Sequence, residues 1–131
     1  MTTTERTQAQ GALRGVQVLD FGQYIPGPML GMLLSDQGAD VIKVERPGGD
    51  PARRMAPFLN DEADPEKSLV FAYLNTNKQS ITLDLKSETG IQILKALVEG
   101  SDVLVENFAP KVMPSLGLDF EARQEINPGL V

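Results

Sequence analysis

Four residues of this sequence are well suited to binding a phosphorylated ligand, and each lies at the end of an apolar, strand-like run. They are Arg46, Lys86 and the adjacent pair Asn107 and Phe108. An arginine can hold a phosphate through two parallel hydrogen bonds, and a lysine adds a second positive charge. An asparagine both donates and accepts, and a phenylalanine ring offers a face to an adenine ring. The pattern predicts a site for a nucleotide-like ligand.

Three of these residues, Arg46, Lys86 and Phe108, also have a purely structural interpretation, which for Lys86 is an exposed residue on a loop before a helix. Arg46 follows Glu45 directly, and such a pair is often a solvated surface pair. Phe108 follows an apolar run and is suited to the core. Asp20 and Asp84 interrupt strand-like segments, which is typical of edge or turn residues. Only the way in which the segments come together decides between the two interpretations.

Composition excludes several classes of function. The 131 residues suffice for one domain with a real core. Without cysteine or histidine, the chain has no disulfide, no thiol nucleophile and none of the commonest metal ligands. A net charge of −6 argues against nucleic acid as a partner, and no apolar run reaches the roughly 18 residues of a membrane span. We expect a cytoplasmic protein with no metal, no nucleic-acid partner and no membrane segment.

The first half of the chain predicts a βαβ unit. The run VQVLDF (16–21) is short and rich in β-formers, which is typical of a strand buried on both faces. A helix is expected over 28–37, with Pro28 at its first position and Gly38 ending it. DVIKVE (40–45) is the second predicted strand.

The second half continues the alternation after a long polar loop at 47–67. Alternating strands and helices favour a parallel or mostly parallel sheet with helices on both faces. The run at 68–77 is ambiguous between a short helix and a strand, and a helix is favoured. The later predicted elements are a strand at 80–85, a helix at 88–99 capped by Ser87 and ended by Gly100, a strand at 102–108, a short helix from Pro110, a last helix from Asp119 to about Glu125, and the start of a further strand at Pro128–Val131.

Strand direction then predicts where a ligand would bind. In open α/β sheets ligands lie outside the carboxyl ends of the strands. Four segments are expected to meet there: Gly22–Gly27, Glu45–Arg46, Asp84–Lys86 and Glu106–Phe108.

The glycines after the first strand do not form a dinucleotide-binding motif. That motif requires G-x-G-x-x-G, whereas Gly22, Gly27 and Gly31 are spaced differently and have prolines between them. Glu45 does resemble the ribose-binding acid of the motif in its position. The glycine spacing nevertheless argues against a standard NAD site, and Gly22 and Gly27 also fit a simple tight turn.

Three longer segments together resemble the class III CoA-transferases, also called the CaiB/BaiF family. They are VLDFGQYIPGPMLGMLLSDQGADVIKVERPGGD, LNTNKQSITLDLKSETG and DVLVENFAPKVMPSLGLDFEARQEINPGLV, and they extend over nearly all of the chain from Leu13 to Val131. The family includes formyl-CoA transferase and, with a different reaction, the α-methylacyl-CoA racemases.

The resemblance implies a Rossmann-like N-terminal part of a longer polypeptide. Residues 1–12 are then a disordered tail, and 13–131 form a truncated portion of the family III domain. The implied ligand is coenzyme A or an acyl-CoA, with a carboxylic acid as second substrate and no metal. The implied assembly is an interlocked homodimer.

Matching positions imply that eleven residues contact coenzyme A. They are Tyr24, Ile25, Pro26, Arg46, Leu83, Asp84, Leu85, Lys86, Asn107, Phe108 and Ala109. Two positions depart from formyl-CoA transferase, which has a glutamine in place of Ile25 and a CoA-contacting arginine in place of Ser115. The first departure argues against formyl-CoA or oxalate as a substrate, and for the second Lys111 is a candidate substitute.

Catalysis in this family uses an aspartate carboxylate that attacks the acyl-CoA thioester, and the resemblance implies that this residue lies beyond Val131. The enzyme would be the full-length transferase, active in acyl-CoA metabolism, and this chain alone would be inactive. Two alternatives remain open. One is a 2-methylacyl-CoA racemase or epimerase of the same family, and the other is a non-catalytic acyl-CoA-binding module.

Overall fold

The computed structural model describes residues 11–131, so the predicted tail at 1–12 lies outside this range except for Gly11 and Ala12. Its strands are β1 (Gln17–Asp20), β2 (Asp40–Glu45), β3 (Gln79–Thr82) and β4 (Val103–Val105), and its helices are α1 (Pro26–Asp36), α2 (Leu69–Leu74), α3 (Glu88–Glu99), α4 (Val112–Ser115) and α5 (Phe120–Ile126). The strands form one parallel sheet in the order β3-β2-β1-β4. The predicted α/β fold is confirmed.

β1 is an inner strand of the sheet and pairs with β2 on one side and with β4 on the other. Leu19 is in register with Ile42 of β2 on one side and with Leu104 of β4 on the other. The chain moves outward from β1 to β3 and then returns to the far side of β1. This reversal is the kind of position at which α/β sheets bind ligands.

Both faces of the sheet are covered, as predicted. Side chains of a parallel strand alternate between faces, so Leu19 and Val44 pack on α3, while Val18 and Val41 face α1. The first cluster is completed by Phe21, Leu83, Leu94, Val98, Met113 and Leu118, and the second by Ala39 and Val105.

Elements with strong local signals have the predicted bounds. β2 covers Asp40–Glu45 and α3 covers Glu88–Glu99. The Ser87 hydroxyl accepts a hydrogen bond from the Gly90 N–H at 3.0 Å, which satisfies one of the free donors at the helix start. The ambiguous run at 68–77 contains α2, capped by Ser68.

Several boundaries differ from the predictions. α1 begins at Pro26 rather than Pro28, because the first turn needs no N–H donors and therefore accommodates both prolines. β3 and β4 end earlier than expected, at Thr82 and Val105, where the chain leaves the sheet. α4 begins at Val112, two residues after Pro110.

The outer edge of β4 already has a backbone partner. Val131 donates to the Asp102 carbonyl at 3.0 Å and accepts from the Leu104 N–H at 2.9 Å. These two bonds are those of a parallel pairing. The predicted start of a further strand therefore lies against the sheet at Val131.

Candidate functional site

A cleft of about 560 Å³ opens at the carboxyl edge of the sheet. It brings together segments that follow β2, β3 and β4, which strand direction predicts. Three of its side chains, Arg46, Arg54 and Lys86, are exposed cations, and Asp84 is its one carboxylate. The lining is completed by Pro47, Gly48, Leu85, Phe108, Val112 and Leu116.

A tight turn after β2 presents Arg46 to this cleft. The Gly49 N–H donates to the Arg46 carbonyl at 2.9 Å, and the Arg46 Nε lies 3.4 Å from the Gly49 carbonyl oxygen. Gly48 and Gly49 have φ values of 88° and 81°, which glycine adopts without a steric cost. The turn leaves the guanidinium exposed at the wall of the cleft.

Lys86 belongs to a second turn, between β3 and α3. The Asp84 carboxylate accepts the Lys86 N–H at 3.0 Å, and its carbonyl accepts the Ser87 N–H at 3.1 Å. Gly90 is required beside this turn, because a Cβ there would lie 2.0 Å from the Asp84 carbonyl oxygen. Asp84 is therefore a turn-forming residue as well as part of the lining.

A groove of about 750 Å³ continues the cleft between α3 and α4. It shares Leu85, Lys86, Val112 and Leu116 with the cleft and extends to Lys95 and Ser115. The cleft and the groove together are lined by four cations, Arg46, Arg54, Lys86 and Lys95, and by two carboxylates, Asp84 and Glu88. The groove includes Ser115 and places Lys95 in the same lining.

The other residues predicted from the resemblance do not line this cleft. Ile25 borders a separate apolar hollow of about 360 Å³ next to α2. Leu83 is buried in the core, and Pro26 and Ala109 are exposed beside the starts of α1 and α4. Tyr24 is half exposed. Their contact with a ligand stays a prediction.

Tyr24 has a left-handed backbone conformation, with φ at 60°. Such a conformation costs a non-glycine residue of order 1–3 kcal/mol and tends to occur at functional sites. The Tyr24 N–H points to the Asp50 carboxylate at 3.3 Å. This contact helps to hold the loop after β1 in the strained shape.

Two buried ion pairs support that loop. Lys43 Nζ lies 2.8 Å from the Asp50 carboxylate, and Lys78 Nζ lies 2.6 Å from the Asp20 carboxylate. All four side chains are at most 1% exposed. Burial lowers the pKa of Lys78, although the Asp20 charge opposes this shift. Asp20 is therefore an ion-paired residue of an inner strand, and its interpretation as an edge residue is wrong. Its other carboxylate oxygen accepts the Gly22 N–H at 2.8 Å, which is the contact of a turn-forming aspartate.

Glu45 forms a third pair, with Arg53 rather than with its neighbour Arg46. The Arg53 guanidinium donates to both Glu45 carboxylate oxygens, at 2.7 and 2.8 Å, and its carbon lies 3.8 Å from the centre of the Phe71 ring. Glu45 is 4% exposed. The suggested solvated pair with Arg46 is therefore wrong, and Glu45 has no free carboxylate for a ribose.

A comparison with known protein families identifies the family of this chain. A profile described as CoA-transferase family III matches residues 13–131. The chain belongs to this family. The resemblance to the CaiB/BaiF family is thus confirmed.

Curated relatives carry names of CoA-transferases. The chain is 50% identical over 121 residues to a formyl-CoA:oxalate CoA-transferase of Afipia carboxidovorans, covering 92% of this chain and 28% of the relative. It is 42% identical to a succinyl-CoA:mesaconate CoA-transferase of Haloarcula hispanica, with 92% and 31% covered. The chain thus spans less than a third of the length of these relatives.

Solved structures agree with this membership. A CaiB/BaiF family protein from Brucella suis matches at 37% identity with a TM-score of 0.84, covering 93% of this chain and 32% of that one. A hypothetical protein from Mycobacterium tuberculosis matches at 38% identity with a TM-score of 0.83, covering 94% and 32%. The parallel sheet and its helices are therefore those of the family.

Within residues 11–131, no group of three or more acidic side chains is placed to hold a metal ion. None of the helices in the same range is both long and apolar enough to cross a membrane.

Sequence reasoning missed Arg54 and Lys95 as lining residues. Arg54 ends a short 3-10 turn (Pro51–Arg54) within the loop at 47–67, and Lys95 lies on α3, where it matches an ordinary solvated helix face. A signal for Arg54 was available, because long polar loops with several cations next to a ligand edge are often functional. No local signal distinguishes Lys95.

The pKa of Glu45 provides a test of its pairing. Burial raises this pKa, but hydrogen bonds from Arg53, Ser80 and the Asp50 N–H outweigh burial and lower it from 4.5 to about 2. The contribution of Glu45 to stability is then complete above pH 4.5 and is lost as the pH falls through 2. We expect Glu45→Gln to lower the free energy of unfolding by roughly 2 kcal/mol at pH 7.

The measurement is urea unfolding between pH 2 and 7. The difference between the wild type and Glu45→Gln should shrink towards acid pH. The matched variant Glu125→Gln alters an exposed carboxylate on α5 and should unfold like the wild type. A difference that is constant across this pH range would contradict the lowered pKa.

Proposed function

We propose that this chain is the coenzyme A-binding N-terminal part of an enzyme that transfers CoA from an acyl-CoA to a carboxylic acid. The observation that carries the proposal is the cleft, whose lining combines three cations, Arg46, Arg54 and Lys86, with one carboxylate, Asp84. Coenzyme A carries a pyrophosphate and a 3′-phosphate, which clustered cations neutralise. An acidic protein can bind such a ligand through a local basic site.

The roles in the cleft follow from side-chain chemistry. Arg46 and Arg54 provide planar donors for two phosphate oxygens at once, and Lys86 provides a compact charge. Phe108 packs partly against the core and also lines the cleft, and we assign its ring to contact with the adenine. The resemblance also implies CoA contacts at Tyr24, Ile25, Pro26, Leu83, Asp84, Leu85, Asn107 and Ala109.

The chemical step belongs to an aspartate that we place beyond Val131. Its carboxylate attacks the thioester carbonyl, which gives a mixed anhydride and the CoA thiolate. The thiolate then attacks the aspartyl carbonyl, which releases the first acid and leaves an aspartyl thioester. The incoming acid takes over CoA by the same two steps in reverse. The names of the relatives, each pairing an acyl-CoA with an acid, support transfer over racemisation.

The proposal includes an interlocked homodimer in the cytoplasm. Support for an assembly comes from α1 and α2, whose outer surfaces expose Met29, Leu30, Leu33 and Tyr73 between 41% and 64%. Apolar surface of this kind marks sites where protein covers protein.

Arg46→Ala tests the site in the complete protein that carries this chain. We expect the variant to lose about 1–3 kcal/mol of CoA binding, because one charge-assisted hydrogen-bond donor is removed. This loss corresponds to a dissociation constant raised roughly 5- to 150-fold, measured by titration calorimetry. Dephospho-CoA, which lacks the 3′-phosphate, shows which phosphate Arg46 binds. If Arg46 binds the 3′-phosphate, Arg46→Ala should weaken the binding of CoA but not that of dephospho-CoA.

The matched control is Arg123→Ala. Arg123 lies on α5 and lines neither the cleft nor the groove, so its loss should leave the CoA affinity unchanged. An Arg46→Ala variant that binds CoA as tightly as the wild type would remove Arg46 from the site.

A further inference from the structure

Side chains from several elements hold the backbone of the loop at 22–24. The Gly22 N–H donates to the Asp20 carboxylate at 2.8 Å, and the Gly22 carbonyl accepts from Lys43 Nζ at 2.7 Å. The Tyr24 N–H donates to Asp50 at 3.3 Å. The main chain of Gln23, which lies between Gly22 and Tyr24, is held by the Asn107 side chain. The loop is thus fixed through its main chain, while its side chains stay available.

Asn107 pairs with the main chain of Gln23 through both ends of its amide. Its Oδ1 accepts the Gln23 N–H at 2.7 Å, and its Nδ2 donates to the Gln23 carbonyl at 2.9 Å. Only an amide can serve a donor and an acceptor in this way, since a carboxylate only accepts. The polar atoms of Asn107 are therefore engaged with the loop after β1.

The same residue links two further segments. Gly27, in the first turn of α1, packs so closely on Asn107 that a Cβ there would lie 3.0 Å from its Oδ1. Phe108 follows Asn107 in the chain and lines the cleft. Fixing Asn107 therefore also fixes the point from which the Phe108 ring enters the cleft.

We infer that Asn107 is a positioning residue that sets the place of Phe108 by locking the end of β4 to the loop after β1. The inference rests on the proposed function, because the importance of Phe108 depends on coenzyme A binding in the cleft. It differs from the resemblance, which implies direct contact between Asn107 and the ligand. Here Asn107 acts on the ligand only through its neighbour.

A double-mutant cycle in the complete protein separates these two roles. We expect Asn107→Ala to raise the dissociation constant for CoA about tenfold in the wild-type background, because the freed Phe108 no longer holds one position. In the Phe108→Ala background the same substitution should change the constant by less than about twofold, because nothing is left to position. Direct contact would give equal changes in both backgrounds.

Amide hydrogen exchange of the ligand-free protein tests whether the two hydrogen bonds between Asn107 and Gln23 hold the loop. Asn107→Ala should accelerate exchange at Gln23 at least about tenfold while exchange in α3 stays slow. Gln23→Ala is the control, because both bonds use its main chain and survive. Should Asn107→Ala fail to fold, the near-isosteric Asn107→Leu also removes both bonds to Gln23 and should show the same exchange and the same coupling to Phe108.

The outcomes are distinct. Equal losses of affinity in the two backgrounds, or unchanged exchange at Gln23, would overturn the inference. A Phe108→Ala variant with wild-type affinity would overturn it as well. A wild-type protein that binds no CoA would refute the proposed function instead, and the exchange data would still decide whether Asn107 locks the loop.

Discussion

Replacing Lys43 with methionine is expected to lower the free energy of unfolding by about 3–5 kcal/mol. The substitution removes an ammonium group that lies 2.8 Å from the Asp50 carboxylate and donates to the Gly22 carbonyl at 2.7 Å. Both side chains of the pair are 1% exposed. The Asp50 charge would therefore remain buried without its partner, which costs more than the pair contributes.

Urea unfolding monitored by circular dichroism gives this difference. Lys111→Met is the matched control, because Lys111 is exposed and its loss should change stability by less than about 0.5 kcal/mol. The double variant Lys43→Met/Asp50→Asn should regain part of the loss, since no unpaired charge is left. A Lys43→Met variant as stable as the control would show that the buried pair contributes nothing.

Replacing Gly27 with alanine is expected to cost about 3 kcal/mol of stability. A Cβ at this position would lie 2.5 Å from the Gly22 Cα and 3.0 Å from the Asn107 Oδ1. The first neighbour is backbone and cannot rotate away, so the start of α1 must move from the end of β1. The shape of the loop at 22–25 depends on this close approach.

Thermal and urea unfolding of Gly27→Ala measure the loss. Gly100→Ala is the matched control, because Gly100 has a negative φ of −93° and a Cβ there would meet nothing closer than 3.9 Å. That substitution should be neutral or slightly stabilising. Equal behaviour of the two alanine variants would contradict the packing argument.

The parts of the fold that could be predicted are those whose bounds are set by residues close together in the sequence. β2 and α3 have the predicted bounds, because an apolar run between polar ends, a serine cap and a terminal glycine each act within a few residues. β4 was predicted too long. Its last residues leave the sheet because Asn107 pairs with Gln23, 84 positions away in the chain.

The buried charges could not be predicted for the same reason. Lys43 interrupts an otherwise apolar strand, and Asp20 pairs with Lys78 across 58 positions. The role of such a residue depends on its ion-pair partner, and the sequence does not indicate which distant residue that partner is. In the site, strand direction was enough to bring Arg46 and Phe108 to one cleft. It was not enough for Ile25, because the loop turns away at Tyr24.

The strand order β3-β2-β1-β4 has a consequence for how the chain is made. Each strand after the first pairs with one that precedes it in the sequence: β2 with β1, β3 with β2, and β4 with β1. During synthesis the N-terminal part emerges first and begins to fold while the remainder is still being added. Every new strand of this sheet therefore leaves the ribosome when its partner already exists.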